Sequence, residues 1–155
     1  MIWFALAGIL AIVGSVLMLK PSARDSRLAR LRMEALKAGL QVRQIIWKPD
    51  SPKTGIYDSV NATSYTLVRD NANKAGALKF CIAGQKGWES AHLPEGFSWH
   101  KPGTEQEALV FTQALPLLQD ALLVLEVWEN KVVILVREGP DAKAQAYRQF
   151  MASFL

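Results

Sequence analysis

The chain has 155 residues, one cysteine and a formal net charge of +4. A lone cysteine, Cys81, excludes an internal disulfide and fits a reducing compartment. The length allows one compact domain beyond an amino-terminal segment, not two, and half of the residues are hydrophobic, which excludes wholesale disorder. The charge is uneven. Residues 20–48 carry eight Lys or Arg against Asp25 and Glu34, a net of +6, whereas 49–155 carry ten against twelve, a net of −2. A general nucleic-acid binder spreads its cations differently, so no nucleic-acid partner is expected.

Residues Ile2 to Leu19 form an 18-residue run without a charged side chain. A helix of about 20 apolar residues crosses a hydrocarbon core of about 30 Å, so the run predicts a transmembrane helix at 2–19. No side-chain cation precedes it, and Lys20, Arg24, Arg27, Arg30 and Arg32 follow it. That asymmetry favours a retained anchor over a cleaved signal peptide. It also predicts an amino terminus outside and a cytoplasmic carboxy-terminal domain. Ala7, Gly8, Ala11, Gly14 and Ser15 fall within one arc of about 120° at 100° per residue. Small residues on one helix face let another membrane helix approach, so these five are candidate helix-packing residues. The five cations after the run are candidate membrane-surface residues, with lipids as their partner.

Pro21 ends the run, and Ser22-Ala-Arg-Asp25 has the form of a helix N-cap. Residues 27–38 are good helix formers, with Leu28, Leu31 and Ala35 in one stripe. A helix is expected at about 23–38 within a basic juxtamembrane segment, 20–39, closed by Gly39 and Leu40 in a Schellman motif. A cytoplasmic α+β domain is expected over 40–155. Leu40 to Trp47 reads as a strand, and KPDSPKTG after it as a loop. Ser64–Asp70 and Ala77–Ala83 read as strands joined by the turn formers Asn71 to Lys74. Residues 84–104 hold four Gly and two Pro without a clear period and read as a long loop. Glu105–Asp120 has helical character that Pro116 should kink or end. Leu122–Trp128 and Val132–Arg137 read as a hairpin, and residues 141–154 as a closing helix with Ala144, Tyr147, Met151 and Phe154 on one face. The order predicts a mostly antiparallel sheet with helices on one face, and LLVLEVW as a central strand.

No phosphate loop, dinucleotide fingerprint, zinc-protease helix or serine-nucleophile elbow occurs, so no catalytic residue and no cofactor is assigned. Cys81, His92 and His100, with Glu89 or Glu95, match no standard zinc spacing, so no metal is assigned. The Cys81 setting, LKFCIAG, reads as a buried thiol in a strand. Trp88, Phe97 and Trp99 in the long loop have two readings, burial in the core or exposure as a partner-binding surface. Glu126, Glu129 and Glu138 read as solvated charges on or next to the hairpin.

The opening LKPSARDSRLARLRMEALKAGLQV resembles that of YajC, the accessory subunit of the bacterial Sec translocase, and of similar single-span proteins. In that family a basic stretch after the span leads into a helix and a Gly-Asp-x-Val turn. Gly39-Leu40-Gln41-Val42 stands at that place without the Asp, and Arg43-Gln44-Ile45-Ile46 replaces the glycine-rich turn that follows. The resemblance covers about residues 1–43. It implies an inner-membrane location and an accessory role in a larger complex. The function expected is that of a non-enzymatic, membrane-anchored accessory protein with a cytoplasmic partner-binding domain and other membrane-protein subunits as partners. The alternative is a membrane-tethered enzyme or ligand-binding domain using the loop 84–104.

Overall fold

The computed structural model describes residues 3, 8–9, 12–14, 21–49, 58–69, 76–87, 89–118 and 121–155, with Ala121 as backbone alone. The chain divides into two compact units, Met1–Arg30 and Leu31–Leu155.

In the first unit the described residues of the apolar run are helical, and Trp3, Ile9, Ile12 and Val13 are exposed. Among the described residues, no helix is long and apolar enough to cross a membrane. This corrects the transmembrane helix expected at 2–19. A span needs about 20 consecutive apolar residues in one unbroken helix. The single-pass inner-membrane location, with its outward amino terminus, rested on that span and is corrected with it.

Helix α1 runs from Ala23 to Lys37. Ser22 opens it: the Asp25 amide donates to Ser22 Oγ at 3.1 Å, and the Ser22 hydroxyl donates to the Asp25 carboxylate at 2.7 Å. One donor left over at the helix start is thereby satisfied. At the other end Gly39 takes a positive φ of 83°. Its amide donates to the Leu36 carbonyl, and that of Leu40 to the Ala35 carbonyl, both at 3.0 Å. This is the Schellman pattern, and it drives Leu40 into the core at 2% exposure.

The second unit is built on a sheet of six strands among the described residues: β1 (Gln41–Trp47), β2 (Val60–Val68), β3 (Leu78–Ala83), β4 (Ser98–Lys101), β5 (Ala121–Trp128) and β6 (Lys131–Arg137). Helix α2 (Glu105–Ala114) runs into a 3-10 turn at Leu115–Leu117, and α3 (Ala144–Ala152) follows β6. The strand order is β1-β2-β6-β5-β3-β4, every pairing antiparallel. The β5–β6 hairpin is therefore central, as LLVLEVW suggests.

Two strands differ from expectation. β2 begins at Val60 and not near residue 64, because β1 pairs with Val60 to Thr63 before β6 joins on the other side at Thr63. It is not paired with β3, so Ser64–Asp70 and Ala77–Ala83 do not form a hairpin. β4 lies inside the segment read as a loop, held by pairing to β3 rather than by any period of its own.

The helices share one face of the sheet. Tyr65, Phe80, Ile82, Leu125, Val127, Val132, Ile134 and Val136 meet Leu31 and Ala35 of α1, Ala108 and Phe111 of α2, and Tyr147, Phe150 and Met151 of α3 in one cluster. Edge-to-face aromatic contacts run through it from Phe97 to Phe111 (5.1 Å), Phe150 (6.3 Å), Phe154 (5.3 Å), Phe80 (6.2 Å) and Trp99 (5.8 Å). Such contacts add to the stabilisation from apolar burial itself. A second, smaller cluster of Ala62, Cys81, Leu123, Val124, Val133 and Leu135 lies on the opposite face.

Candidate functional site

The two outer strands of the sheet are built differently. β4 has four residues, and its pairing to β3 is broken by a bulge between Cys81 and Ile82. Lys101 at its end donates to the Leu78 carbonyl, and Pro102 follows. Short length, a bulge, a lysine and a proline are the devices that stop an edge from recruiting another strand. β1 is longer and carries no bulge, although Lys48 and Pro49 follow it as Pro102 follows β4. It keeps seven residues in unbroken register against β2, from Gln41 opposite Thr66 to Trp47 opposite Val60. Its sequence, QVRQIIW, has no Pro, Gly or Lys and one charge, Arg43.

β1 also exposes apolar side chains. Ile46 is 66% exposed and Ile45 37%, and only Val42 and Trp47 are half-buried. Strand alternation puts Val42, Gln44 and Ile46 on the helix-bearing face, since Val42 opposes the buried Tyr65. Gln41, Arg43, Ile45 and Trp47 take the opposite face. α1, which precedes β1, exposes Met33 and Leu36 as well. Among the described residues β1 has a strand neighbour on one side only.

A buried polar network braces this edge from inside. The Arg32 guanidinium donates through Nε to Glu138 Oε1 at 3.0 Å and through Nη2 to Glu138 Oε2 at 2.5 Å. The Tyr65 hydroxyl donates to Glu138 Oε1 at 2.5 Å. Arg32 Nη2 also reaches Thr63 Oγ1 at 3.5 Å, and with its amide oxygen turned inward Gln44 of β1 accepts from Nη2 at 3.1 Å. Tyr65 packs on Tyr147 of α3, ring centroids 4.6 Å apart. The Glu138 side chain is only 5% exposed. Burial pushes its carboxyl up, but hydrogen bonds from Arg32, Tyr65 and Thr63 and the Arg32 charge outweigh that and hold it below the usual range. Glu138 is therefore not the solvated charge expected. Arg32 is not a free surface cation either, and its own pKa is raised, chiefly by the Glu138 hydrogen bond.

The other expected site residues are placed as follows. Lys20, Ala7, Ala11, Ser15 and Trp88 lie outside the described residues. A Cβ added at Gly8 or Gly14 would meet open space. Arg24, Arg27 and Arg30 are exposed. Trp99 is buried, its ring N–H donating to the Ala91 carbonyl at 3.0 Å, and its backbone amide donates to the Glu89 carbonyl at 2.8 Å. Phe97 packs on Phe111. Trp99 is thus a core residue, and Phe97 is half-buried.

The loop around them encloses a cavity of about 210 Å³ lined by Lys86, Ser90, Leu93, Pro94, Glu95 and Phe97. That is below the ~300–1,000 Å³ usual for small-molecule sites. A second cavity of about 300 Å³ has Arg69 and Lys79 on its wall. There Arg69 Nη2 is committed to the Phe154 carbonyl at 2.9 Å, a contact within the fold.

Among the described residues no three His, Cys, Asp or Glu side chains gather as metal ligands. His92 faces Glu105 at 3.7 Å, and His100 Nε2 lies 3.0 Å from the Gln85 amide nitrogen. Burial, with the Glu126 charge, pushes the Cys81 thiol up to about 12, so it stays protonated and inert at neutral pH.

The signal for the edge was present in the sequence as the alternation of β1, but its position at the end of the sheet was not. No protein-family model, curated protein or solved structure matches the chain.

Proposed function

We propose that this chain works by binding another protein rather than by catalysis, and that β1 is the element that binds. One observation carries the reading: β1 is a seven-residue outer strand in unbroken register that exposes Ile45 and Ile46. Unpaired backbone amides and carbonyls along such an edge are a template for an added strand. Main-chain hydrogen bonds then supply affinity, and alternate side chains supply selectivity. The contrast with the short, bulged β4 edge supports it, because among the described residues β1 keeps its full register and has a strand neighbour on one side only.

The test is comparative co-purification with the full chain and its Ile46→Lys variant. Ile46 is exposed, so the substitution leaves the core intact while placing a charge on the edge. Proteins retained by the parent chain should be lost with the variant. Equal retention by both would overturn the reading. A ligand-binding role for the loop 84–104 has the 210 Å³ cavity in its favour. A metabolite thermal-shift screen separates it: a stabilising ligand whose effect is abolished by Leu93→Trp would support that role.

A further inference from the structure

We infer that the occupant of the β1 edge is a second copy of this chain, paired antiparallel through β1 about a two-fold axis at Gln44. The inference rests on reading β1 as the binding edge, and it goes further by naming what binds.

Three observations point to self-pairing. The first is closure. Joining β1 to β1 removes both open edges and leaves a β4 strand at each end of the combined sheet. Both ends are then the short, bulged, lysine-capped edge, so assembly stops at two. A head-to-tail contact would need β4 as an acceptor, and β4 is built to refuse one.

The second is register. A two-fold axis perpendicular to the sheet must lie midway between one residue and the same residue of the second copy, because side chains alternate faces with a period of two. Centring it on Gln44 pairs all seven residues of β1. Gln41 then meets Trp47 of the second copy, Val42 meets Ile46, Arg43 meets Ile45, and Gln44 meets Gln44. Val42 and Ile46, on the helix-bearing face, cover each other twice. Ile46, the more exposed of the two isoleucines of β1, thereby gains an apolar neighbour.

The third is charge. Arg43 is the one charged residue of β1. In the Gln44-centred register it lies beside Ile45 of the second copy, and its aliphatic stem can cover that side chain. Centring on Arg43 itself would put two guanidinium groups directly opposite, which like charges disfavour. β1 therefore accepts its own copy in this register without an unpaired acid or a like-charge clash.

The register makes a sign-dependent test possible. Position 45 faces Arg43 of the second copy twice, once for each strand. Ile45→Glu should add two opposite-charge pairs and tighten the dimer about tenfold, whereas Ile45→Lys should add two like-charge pairs and weaken it about tenfold. Arg43→Glu combined with Ile45→Lys reverses both charges, keeps two opposite-charge pairs and should tighten the dimer about as Ile45→Glu does. The readout is sedimentation velocity of the full chain across a concentration series, with far-UV circular dichroism confirming that each variant folds. An apolar patch without register would be weakened by both charges alike. That result would overturn the inference, as would a dimer indifferent to either substitution or a parent chain that stays monomeric throughout. If the parent is monomeric and Ile46→Lys still abolishes co-purification of another protein, the binding edge stands and only the second copy is wrong. If neither self-association nor co-purification depends on β1, both readings fail.

Discussion

Removing the Arg32 side-chain charge is the sharpest probe of how this fold is held together. In Arg32→Met the aliphatic part of the side chain is largely kept, but the Glu138 carboxylate loses both guanidinium hydrogen bonds. Its side chain is 5% exposed and that of Arg32 26%, so water cannot replace the lost contacts freely. Breaking a fully buried pair by removing one partner costs about 3–5 kcal/mol. Tyr65 and Thr63 still donate to Glu138, and Arg32 is a quarter exposed, which lowers the expected loss to about 2–3 kcal/mol. For a chain of this size that is a fall of about 5–10 °C in Tm. Combining Arg32→Met with Glu138→Gln removes both charges while leaving an acceptor for the Tyr65 hydroxyl. Most of the loss should return, to within about 1 kcal/mol of the parent. Urea unfolding of the four proteins completes the cycle. A loss below about 0.5 kcal/mol for Arg32→Met, the range of ordinary surface changes, would refute the reasoning and restore Arg32 to the exposed basic set.

Three further outcomes follow from the same structure. The Glu138 carboxyl is held below its ordinary value, so its contribution is complete above the unfolded value of about pH 4.3 and is lost as pH falls through the folded one; the urea midpoint of Glu138→Gln should lose that part of its acid dependence, and superimposable acid limbs would count against the network. Cys81, buried and with its thiol pushed up to about 12, should resist iodoacetamide in the native chain at pH 8 and react fully in denaturant; rapid native alkylation, read by mass spectrometry, would show that β3 is open. In Gly84→Ala the new methyl carbon would lie 2.1 Å from the Leu122 carbonyl oxygen, backbone that cannot rotate away, beside the hydrogen bond that the Gly84 amide donates to the Leu123 carbonyl; the loss should exceed about 2 kcal/mol by thermal unfolding, and an unchanged Tm would mean that β3 and β5 separate there at no cost.

The two ends of α1 and the β5–β6 hairpin were legible because their determinants are neighbours in the chain. Ser22 with Asp25, Gly39 with Leu40, and the alternation of 122–137 around Glu129-Asn130 each carry their own signal within a few residues. Thr104 with Glu107 at the start of α2 belongs to the same class: Thr104 Oγ1 accepts from the Glu107 amide while the Glu107 carboxylate accepts from the Thr104 amide. The apolar run predicted a span from hydropathy alone, whereas among the described residues no helix is long and apolar enough to cross a membrane.

The candidate site was the part least visible. QVRQIIW reads equally well as an inner or an outer strand, since alternation says which side chains share a face and nothing about how many neighbours the strand has. Arg32 reads as one cation in a basic stretch because its partner Glu138 is 106 residues away.

By itself, then, the sequence determined the α+β class, the caps, the central hairpin and an inert Cys81, all of which depend on local spacing and side-chain chemistry. Tertiary structure alone decided that β1 lies at the end of the sheet and β4 guards the other end. It also decided that Arg32 and Glu138 form a buried pair rather than two surface charges. Strand order and burial come from contacts between distant segments, whose free energies are shared across the whole sheet and are absent from any short window of residues.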